Sequence, residues 1–547
     1  MERLTKGERF ALIIFALIVV VSLFVSYFWH RKADAEVILS DSIKYQIEKF
    51  EAEIDSFTKL NNDSLIRKKN KKKQEKSRKA SSKNKYDNNI DPKKNPLERT
   101  NEKNRALFAT KIGVIAASVG SAIGLGNIWR FPYEVGQHGG GAFLMIYLLV
   151  VLIVGIPLIC SEFVIGRASH TNVLRTFKRL QKKGSRWHWV SYVAITSSLM
   201  ILSFYSVVAG WTLEYSLSSL FGALSEPSEA FYSQYFADFT SNSYRPLIWT
   251  ILFLAINYAI LRRGLHNGIE KMSNIMTPML FIILMVFCVR SLLMPGAIDG
   301  LKFFFIPDFS KIDSNVVLGA MGQAFFSLSL GVSTLMTYAS YFDEKVPLVR
   351  SASIIASLDT LFAIVAGLII FPALFTYNME PTEGPKLVFE VLPYIFSHVA
   401  GGQIWAAAFF FLLFLASITS TISMSEISIS FFSEEFGLSR EKSSLLNFII
   451  AVVFGALCAL SFGLLSDFKI CGQTIFDLFN NITANYLMPL CGIFFSIFAG
   501  WLMDKQLLKD QLTNRGQVAN SFYKPITICL KYIAPIAILM IFIYQLV

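Results

Sequence analysis

Eleven apolar segments follow one another along most of this chain, and they constrain its fold more than any other feature. A helix needs roughly 20 apolar residues to cross the hydrocarbon core of a bilayer, and most of these segments are that long. They cover approximately residues 110–133, 142–168, 190–221, 245–262, 270–294, 317–342, 349–376, 403–434, 443–465, 475–502 and 526–546. Because backbone groups in lipid must be paired within the protein, the segments predict an all-α membrane protein.

Charge predicts the orientation of these segments. If the first one begins in the cytoplasm, the loops after even-numbered segments are cytoplasmic, and they carry the basic residues Arg175, Lys178, Arg179, Lys182, Lys183, Arg186, Arg262, Arg263, Lys271, Lys505, Lys509, Arg515 and Lys524. The opposite loops carry the acids Glu226, Glu229, Asp238, Glu380, Glu383 and Glu390. The positive-inside rule therefore favours this orientation.

The N-terminal region differs from the rest. Phe10 to Trp29 is an uncharged stretch of twenty residues with no small-residue cleavage site after it, so residues 1–32 are predicted to form an uncleaved membrane anchor. Residues 33–104 are polar and Lys-rich and are predicted to be a largely disordered cytoplasmic linker, which places the extreme N-terminus outside. Residues 105–547 form the main membrane domain.

The net charge of +12 lies mainly in residues 66–105, which hold sixteen basic and five acidic residues. Without interleaved aromatic residues, this run indicates contact with anionic lipid, and no nucleic-acid partner is expected; nucleic-acid binding is the alternative. The six cysteines and six histidines show no metal-site spacing or disulfide framework. No phosphate-binding loop or nucleophile motif is present either, so the sequence does not predict an enzyme.

Two of the apolar segments are interrupted near their middle. Three glycines fall within Gly120–Asn127 of the first segment, and Phe325–Gly331 of the sixth contains two serines and a glycine. Small residues can also serve close helix packing, which is the alternative. Paired interruptions in corresponding members of two five-segment halves are instead typical of inverted-repeat transporters, where the breaks surround a ligand.

Four stretches carry a family resemblance: Ser121–Pro132 (SAIGLGNIWRFP), Gly139–Phe143, Gly322–Tyr341 and Ala416–Ser420. From about Arg105 to its C-terminus the chain resembles the neurotransmitter:sodium symporter family, particularly its bacterial amino-acid transporters. The resemblance implies a LeuT-like 5+5 inverted repeat with an eleven-helix core, to which the N-terminal helix would be one addition. It also implies multi-pass insertion in the cell membrane and sodium-coupled import of a neutral, hydrophobic or aromatic amino acid.

Two sodium sites are implied by the resemblance. Sodium site 1 would consist of the Ala122 carbonyl, Asn127, Ser327 and Asp359, with the substrate carboxylate completing the shell. Sodium site 2 would consist of Gly120, Ile123, Ala416, Thr419 and Ser420. The last three share one helix face, since they are spaced i, i+3 and i+4. The alternative is that the Thr419 and Ser420 hydroxyls bond only to carbonyls of their own helix.

Position 359 is aspartate in this chain, whereas many relatives have asparagine there. An ionisable side chain in an apolar segment is expensive unless paired, so it marks a functional site. In chloride-dependent relatives a nearby anion offsets the sodium charge, and Ala363 stands where those relatives have a chloride-binding serine. Asp359 could supply the negative charge itself, so no chloride requirement is expected. A protonated, hydrogen-bonded Asp359 is the alternative.

The resemblance also implies a substrate pocket formed by Ser121, Ala122, Leu125, Gly126, Ile201, Tyr205, Phe326, Ser327, Ser329, Val332, Ser420 and Met424. In this pocket Tyr205 would donate its hydroxyl to the substrate carboxylate, and Phe326 would form the lid. Amine-transporting relatives carry an aspartate at the position of Gly124, which favours an amino acid over a monoamine here. Val332 replaces a phenylalanine of a leucine-transporting relative, which favours a bulky or aromatic side chain.

Gates are implied at both ends of the pathway. Arg105 and Glu434 would form the inner gate, and Arg130 the outer one. The usual aspartate partner of Arg130 is replaced by Asn480, so either a neutral hydrogen bond or the nearby Asp477 would complete that gate. Any of these charges could instead lie at the membrane interface without gating. Glu162 is expected to accept backbone amides of the broken sixth helix.

These features predict alternating access, in which sodium orders the breaks and the substrate completes one ion shell. One alternative is a transporter-like amino-acid sensor that signals through the N-terminal extension. An ion channel is a further alternative, but it requires a continuous polar stripe along several helices, and the sequence shows only isolated polar clusters.

Overall fold

The computed structural model describes residues 106–226, 228–379, 385–517 and 520–544. Within these ranges the chain is almost entirely helical. The predicted anchor (1–32) and linker (33–104) lie outside the described residues, as does Arg105, and what is said of them stays a prediction.

The helices are labelled here in chain order. The first half contains α1 Lys111–Ala122, α2 Gly126–Gln137, α3 Gly141–Ser169, α4 Val173–Leu180, α5 Trp189–Leu220, α6 Glu229–Ser241, α7 Arg245–Leu261 and α8 Leu265–Leu292. The second half contains α9 Ala297–Phe305, α10 Ser314–Ser327, α11 Thr334–Ala339, α12 Leu348–Tyr377, α13 Leu387–Ser397, α14 Gly402–Phe436, α15 Arg440–Leu460, α16 Ile475–Leu502, α17 Lys505–Leu512 and α18 Tyr523–Met540.

Eight of the helices in the described ranges are long and apolar enough to cross a membrane, or up to ten if two bent pairs are each taken as one span. Each apolar segment predicted from the sequence contains one of the labelled helices α1 to α18, and the first and sixth segments each contain two shorter ones. Polar side chains set several helix starts: Thr110 accepts from the Gly113 amide, Asn172 from Leu174, and Asp313 from Val316. Such caps satisfy amides that have no partner within the helix.

The first segment is broken where its glycines are concentrated. α1 ends at Ala122, Ile123 is extended (ψ 116°), and the axis bends by 54° before α2. A side chain at Gly124 would place its Cβ 2.9 Å from the Tyr205 hydroxyl and 3.0 Å from the Ser420 hydroxyl. A larger residue at this position would have to displace these two hydroxyl groups, which come from α5 and α14.

The sixth segment is broken as well. α10 ends at Ser327 and α11 begins at Thr334, and between them Ser329, Gly331 and Ser333 have positive φ angles of 52°, 79° and 71°. A Cβ on Gly331 would lie 2.2 Å from the Met488 carbonyl oxygen of α16. Positive φ and this close approach together exclude larger residues at Gly331.

The two breaks lie against the most buried helices. In the most apolar windows of α5 and α14, 78% of the residues are buried, compared with 33% for α18. α14 therefore presents its many serines and threonines to the protein interior rather than to lipid. The helices that pack against the breaks are thus deeply buried, and α14 provides them with a polar surface.

Candidate functional site

Asn127, Ser327 and Asp359 meet in a fully buried cluster between the two breaks. The Asn127 amide nitrogen donates to the Ser327 hydroxyl at 2.9 Å and to Asp359 Oδ1 at 2.9 Å. The Ser327 hydroxyl donates to Asp359 Oδ2 at 2.5 Å. These three residues come from α2, α10 and α12, so the cluster joins both broken segments to a continuous helix.

The hydrogen-bond pattern bears on the charge of this cluster. Both Asp359 oxygens act as acceptors: Oδ1 accepts from the Asn127 amide and Oδ2 from the Ser327 hydroxyl. The other amide hydrogen of Asn127 is donated to Ser327. Among the described residues Asp359 forms no ion pair. A buried carboxylate without a counter-ion is strongly unfavourable, so either a bound cation or the proton of the alternative must neutralise it. Oxygen ligands of this kind suit a hard cation.

The residues predicted for sodium site 2 also meet. The Ser420 hydroxyl lies 3.1 Å from the Ile123 carbonyl oxygen across the helix interface and 3.2 Å from that of Ala416. A Cβ built on Gly120 would be 3.2 Å from the Thr419 Cβ, so α1 and α14 are in close contact here. Thr419 itself donates to the carbonyl of Ala416 at 2.9 Å within its own helix. The structure therefore contains both the cross-helix arrangement and the local bonds of the alternative.

A pocket adjoins the Asn127 cluster. Ten of the twelve predicted substrate residues line it: Ala122, Gly126, Ile201, Tyr205, Phe326, Ser327, Ser329, Val332, Ser420 and Met424. Gly124, Asn127 and Met488 line it too, and the sequence reasoning had not placed them there. Met488 was missed because the tenth segment was considered only for the outer gate, at Asp477 and Asn480. Its signal is Gly331, whose tight contact brings α16 to the break.

The two remaining predicted residues contribute near the pocket rather than in its wall. The Ser121 hydroxyl donates to Ser423 at 2.7 Å, and its carbonyl accepts from Ser329 at 3.2 Å. The Leu125 amide donates to the Tyr205 hydroxyl at 3.1 Å. The Tyr205 hydroxyl thus accepts a hydrogen bond from the broken helix. Since Tyr205 lines the pocket, its hydroxyl hydrogen can be donated to a ligand there.

Phe326 and Tyr205 separate this pocket from a wider vestibule. Both residues line the two spaces. The pocket leaves a volume of only about 30 Å³, whereas the vestibule has about 580 Å³. The Arg130 guanidinium lies 4.8 Å from the centre of the Phe326 ring, within the range of a cation–π contact. Phe326, the predicted lid, therefore lies between the pocket and the vestibule.

The outer gate residues line the vestibule together without closing it. Arg130, Asp477 and Asn480 all contribute to its wall. Arg130 pairs with Glu134 at 3.4 Å, one turn along the same helix, rather than with α16. Asp477 accepts from the Thr474 hydroxyl at 2.7 Å at the start of α16. The sequence reasoning missed Glu134, although its i,i+4 spacing from Arg130 is a recognisable signal.

Replacing Glu134 by glutamine is expected to tighten substrate binding by up to about fivefold, because a partly exposed ion pair of this kind contributes at most about 1 kcal/mol. The change removes the acceptor that holds Arg130 away from α16, and so it favours closure. Binding of labelled substrate to purified protein at saturating sodium measures the effect. Glu229→Gln, at an exposed acid of α6, is the matched control. Unchanged or weaker binding in Glu134→Gln would contradict this role.

Glu162 lies behind the sixth break. Its carboxylate accepts from the Gly331 amide at 2.9 Å and from the Met336 amide at 3.3 Å, and the side chain is buried. These amides have lost the helical partners they would have in an unbroken helix. Glu162 is thus positioned as the sequence reasoning expected, where it stabilises the non-helical backbone.

Side-chain hydrogen bonds join several helices at the predicted cytoplasmic end of the pathway. Glu434 accepts from the backbone and side-chain nitrogens of Asn172, while Arg105 falls outside the described residues. Deeper, Tyr341 donates to Glu426 at 2.6 Å, and Arg440 bonds both oxygens of that carboxylate. No single motif indicated this group, which joins α14, α15 and the end of the sixth segment.

Two interrupted helices around a buried polar cluster, with a vestibule beside the pocket, are typical of an ion-coupled membrane transporter. The chain belongs to the Sodium:neurotransmitter symporter family, whose model matches residues 105–238 and 223–547. Because the family consists of transporters, the prediction that the chain is not an enzyme is confirmed, as are the family resemblance and the LeuT-like fold.

Individual relatives agree with this assignment. The uncharacterized sodium-dependent transporter YhdH of Bacillus subtilis (strain 168) is 36% identical over 441 residues, which cover 81% of this chain and 98% of that protein. The uncharacterized sodium-dependent transporter MJ1319 of Methanocaldococcus jannaschii is 33% identical, over 76% of this chain and 85% of that protein. The crystal structure of MhsT in complex with L-phenylalanine matches with a TM-score of 0.75 and 38% identity, over 81% of this chain and all of that one.

Proposed function

We propose that this chain imports a neutral, hydrophobic or aromatic amino acid together with sodium. The observation that carries the proposal is the pocket itself, in which the Asn127, Ser327 and Asp359 cluster adjoins apolar side chains such as Ile201, Val332 and Met424. A substrate carboxylate would face the polar end and a hydrophobic side chain the other. The bound L-phenylalanine of MhsT supports the same substrate class.

Two features of the pocket support an amino acid over an amine. Gly124 provides no carboxylate for an ammonium group, and the contacts at Tyr205 and Ser420 leave no space for one. The Tyr205 hydroxyl and the N-terminal end of α2 are a favourable environment for a carboxylate. The substrate would therefore supply its own negative charge to the ion site.

The ion requirement follows from the two clusters. We propose two sodium ions, one at Ala122, Asn127, Ser327 and Asp359 and one at Gly120, Ile123, Ala416, Thr419 and Ser420. Asp359 would replace chloride as the anion near the first ion, and Ala363, fully buried, has no hydroxyl with which to bind one. The transporter would operate in the plasma membrane, where the Lys-rich linker meets anionic lipid.

A panel of labelled amino acids offered to liposomes containing the purified full-length protein tests this function. With an inward sodium gradient, phenylalanine- and leucine-like substrates are expected to accumulate at least about tenfold over sodium-equilibrated liposomes, since coupled transport follows the ion gradient. Lysine, glutamate and monoamines are expected to remain at background. Accumulation that ignores sodium, or that favours a monoamine, would contradict the proposal.

The same assay separates import from sensing. A chain that lacks residues 1–100 is expected to transport at the full rate, because the site lies entirely within residues 106–544. Lost uptake with retained substrate binding would instead favour a sensor that depends on its N-terminal extension.

A further inference from the structure

A groove lies on the predicted cytoplasmic side, away from the substrate pocket. It lies between α16 and the region where α5 begins, and it is lined by Ser185, Arg186, Trp187, Trp189, Val190, Tyr192, Val193 and Phe494. Its volume is about 410 Å³. Trp189 is 62% exposed and Tyr192 39% exposed, so two large rings of its wall are open to the surroundings.

The floor of the groove is well ordered by aromatic packing. The Trp187 ring lies 5.7 Å from that of Phe494 and 6.0 Å from that of Phe498, both on α16. Phe177 of α4 contacts Phe498 from the other side, at 4.9 Å. The groove is therefore a fixed feature of the fold rather than a gap between independent loops.

The loop that contributes to the groove is basic. Arg186 forms part of its wall, and Lys182 and Lys183 are exposed in the same loop. Within the described ranges the side chains of these three residues form no hydrogen bond or ion pair with the protein. Arg175, by contrast, bonds to Glu435 at 2.7 Å. Arg175 is thus paired within the protein, whereas the Arg186 side chain in the groove wall is available to an anionic ligand.

We propose that this groove binds one anionic phospholipid of the cytoplasmic leaflet, with its phosphate at Arg186 and Lys183 and an acyl chain along Trp189, Tyr192 and Phe494. Val193 and Phe494 belong to helices that are long and apolar enough to cross a membrane, so this part of the groove adjoins the lipid. An acyl chain is stable there, whereas an extended peptide would leave backbone groups unpaired. The cytoplasmic leaflet is anionic, and tryptophan and tyrosine favour the interface. This site is separate from the transport pathway and does not depend on the substrate proposed above.

Lipid occupancy has a structural consequence. The cytoplasmic part of α16 packs on Trp187, and its other end contributes Asn480 and Asn485 to the vestibule. A lipid in the groove contacts the helix that must meet Arg130 when the outer gate closes. Binding is therefore expected to raise the thermal stability of the transporter.

Native mass spectrometry of the full-length protein in detergent, titrated with phosphatidylglycerol or phosphatidylcholine, tests the site. Wild type is expected to retain a discrete phosphatidylglycerol adduct with a higher melting temperature. In the Lys183→Gln/Arg186→Gln variant the affinity should fall by about thirtyfold, since each basic residue at an anionic surface contributes about a fivefold factor. Phosphatidylcholine should bind more weakly throughout.

Matched variants make the result specific. Arg263→Gln changes another exposed arginine of a predicted cytoplasmic loop, away from the groove, and should retain the adduct. Lys183→Arg/Arg186→Lys keeps both charges and should also retain it, which separates lost charge from misfolding. The Lys-rich residues 66–105 are the same in every variant, so lipid bound there contributes equally. Equal adducts in all variants, equal binding of phosphatidylcholine, or displacement by soluble glycerol phosphate would overturn the proposal.

Discussion

Replacing Asp359 by asparagine is expected to lower sodium-driven uptake in chloride-free buffer by at least about a hundredfold, because breaking a buried charge pair costs about 3–5 kcal/mol. The side chain is fully buried, and Asn127 and Ser327 already donate to its two oxygens. With the carboxylate removed, a sodium ion beside Asn127 would have no negative side chain near it. Initial uptake rates in liposomes, with gluconate in place of chloride, measure the effect.

A compensating second substitution supplies the control for Asp359→Asn. Wild type should transport equally with and without chloride, since the protein provides the anion. Adding Ala363→Ser to Asp359→Asn introduces the hydroxyl that chloride-dependent relatives have, and it should make uptake depend on chloride. Chloride-dependent uptake in wild type would exclude this assignment, and so would full activity of Asp359→Asn in chloride-free buffer.

The breaks were predictable from the sequence because they depend on local chemistry. Glycines at 120, 124 and 126 weaken a helix wherever it lies, and Ser329 and Gly331 tolerate the positive φ angles that the sixth segment requires. The positive-inside rule likewise reads each loop separately. Because these signals need no knowledge of neighbouring helices, the transporter class could be predicted before any contact was known.

Other parts of the site depend on contacts that one segment cannot reveal. Met488 reaches the pocket only because α16 passes within contact distance of Gly331. The bonds from Tyr341 and Arg440 to Glu426 join residues 85 and 14 positions apart in the sequence. Arg130 could be recognised as a gate, but its pairing with Glu134 depends on which gate conformation the protein adopts. Packing and conformational state therefore limit what sequence reasoning can reach.

The two proposed ion sites link different sets of helices. The Asn127 cluster links the broken segments to α12 and adjoins the pocket, so an ion held there would be coupled to the substrate. The Ser420 cluster links α1 to α14, the helix that also carries Glu426 in the cytoplasmic closure. An ion held between α1 and α14 would keep that end closed until it leaves. Sodium release at the second site would then precede inward opening.

Thr419→Ala tests this second site and is expected to raise the sodium concentration for half-maximal uptake by about ten- to a hundredfold, since an oxygen that interacts with a charged group contributes about 1.5–3 kcal/mol. Sodium titrations of uptake at saturating substrate measure it, and substrate affinity at saturating sodium should change little. Thr419 is buried where α1 and α14 meet, beside Gly120.

Ser430→Ala is the matched control for this change. Ser430 is a buried residue of the same helix, and its hydroxyl donates to the Ile427 carbonyl at 3.0 Å, much as Thr419 donates to Ala416. If local bonding were the whole role of Thr419, the two substitutions would shift the sodium titration alike. A selective shift in Thr419→Ala would require an additional partner for that oxygen. Sodium is the partner we propose, because a cation can satisfy the Thr419 oxygen and neighbouring backbone carbonyls at once.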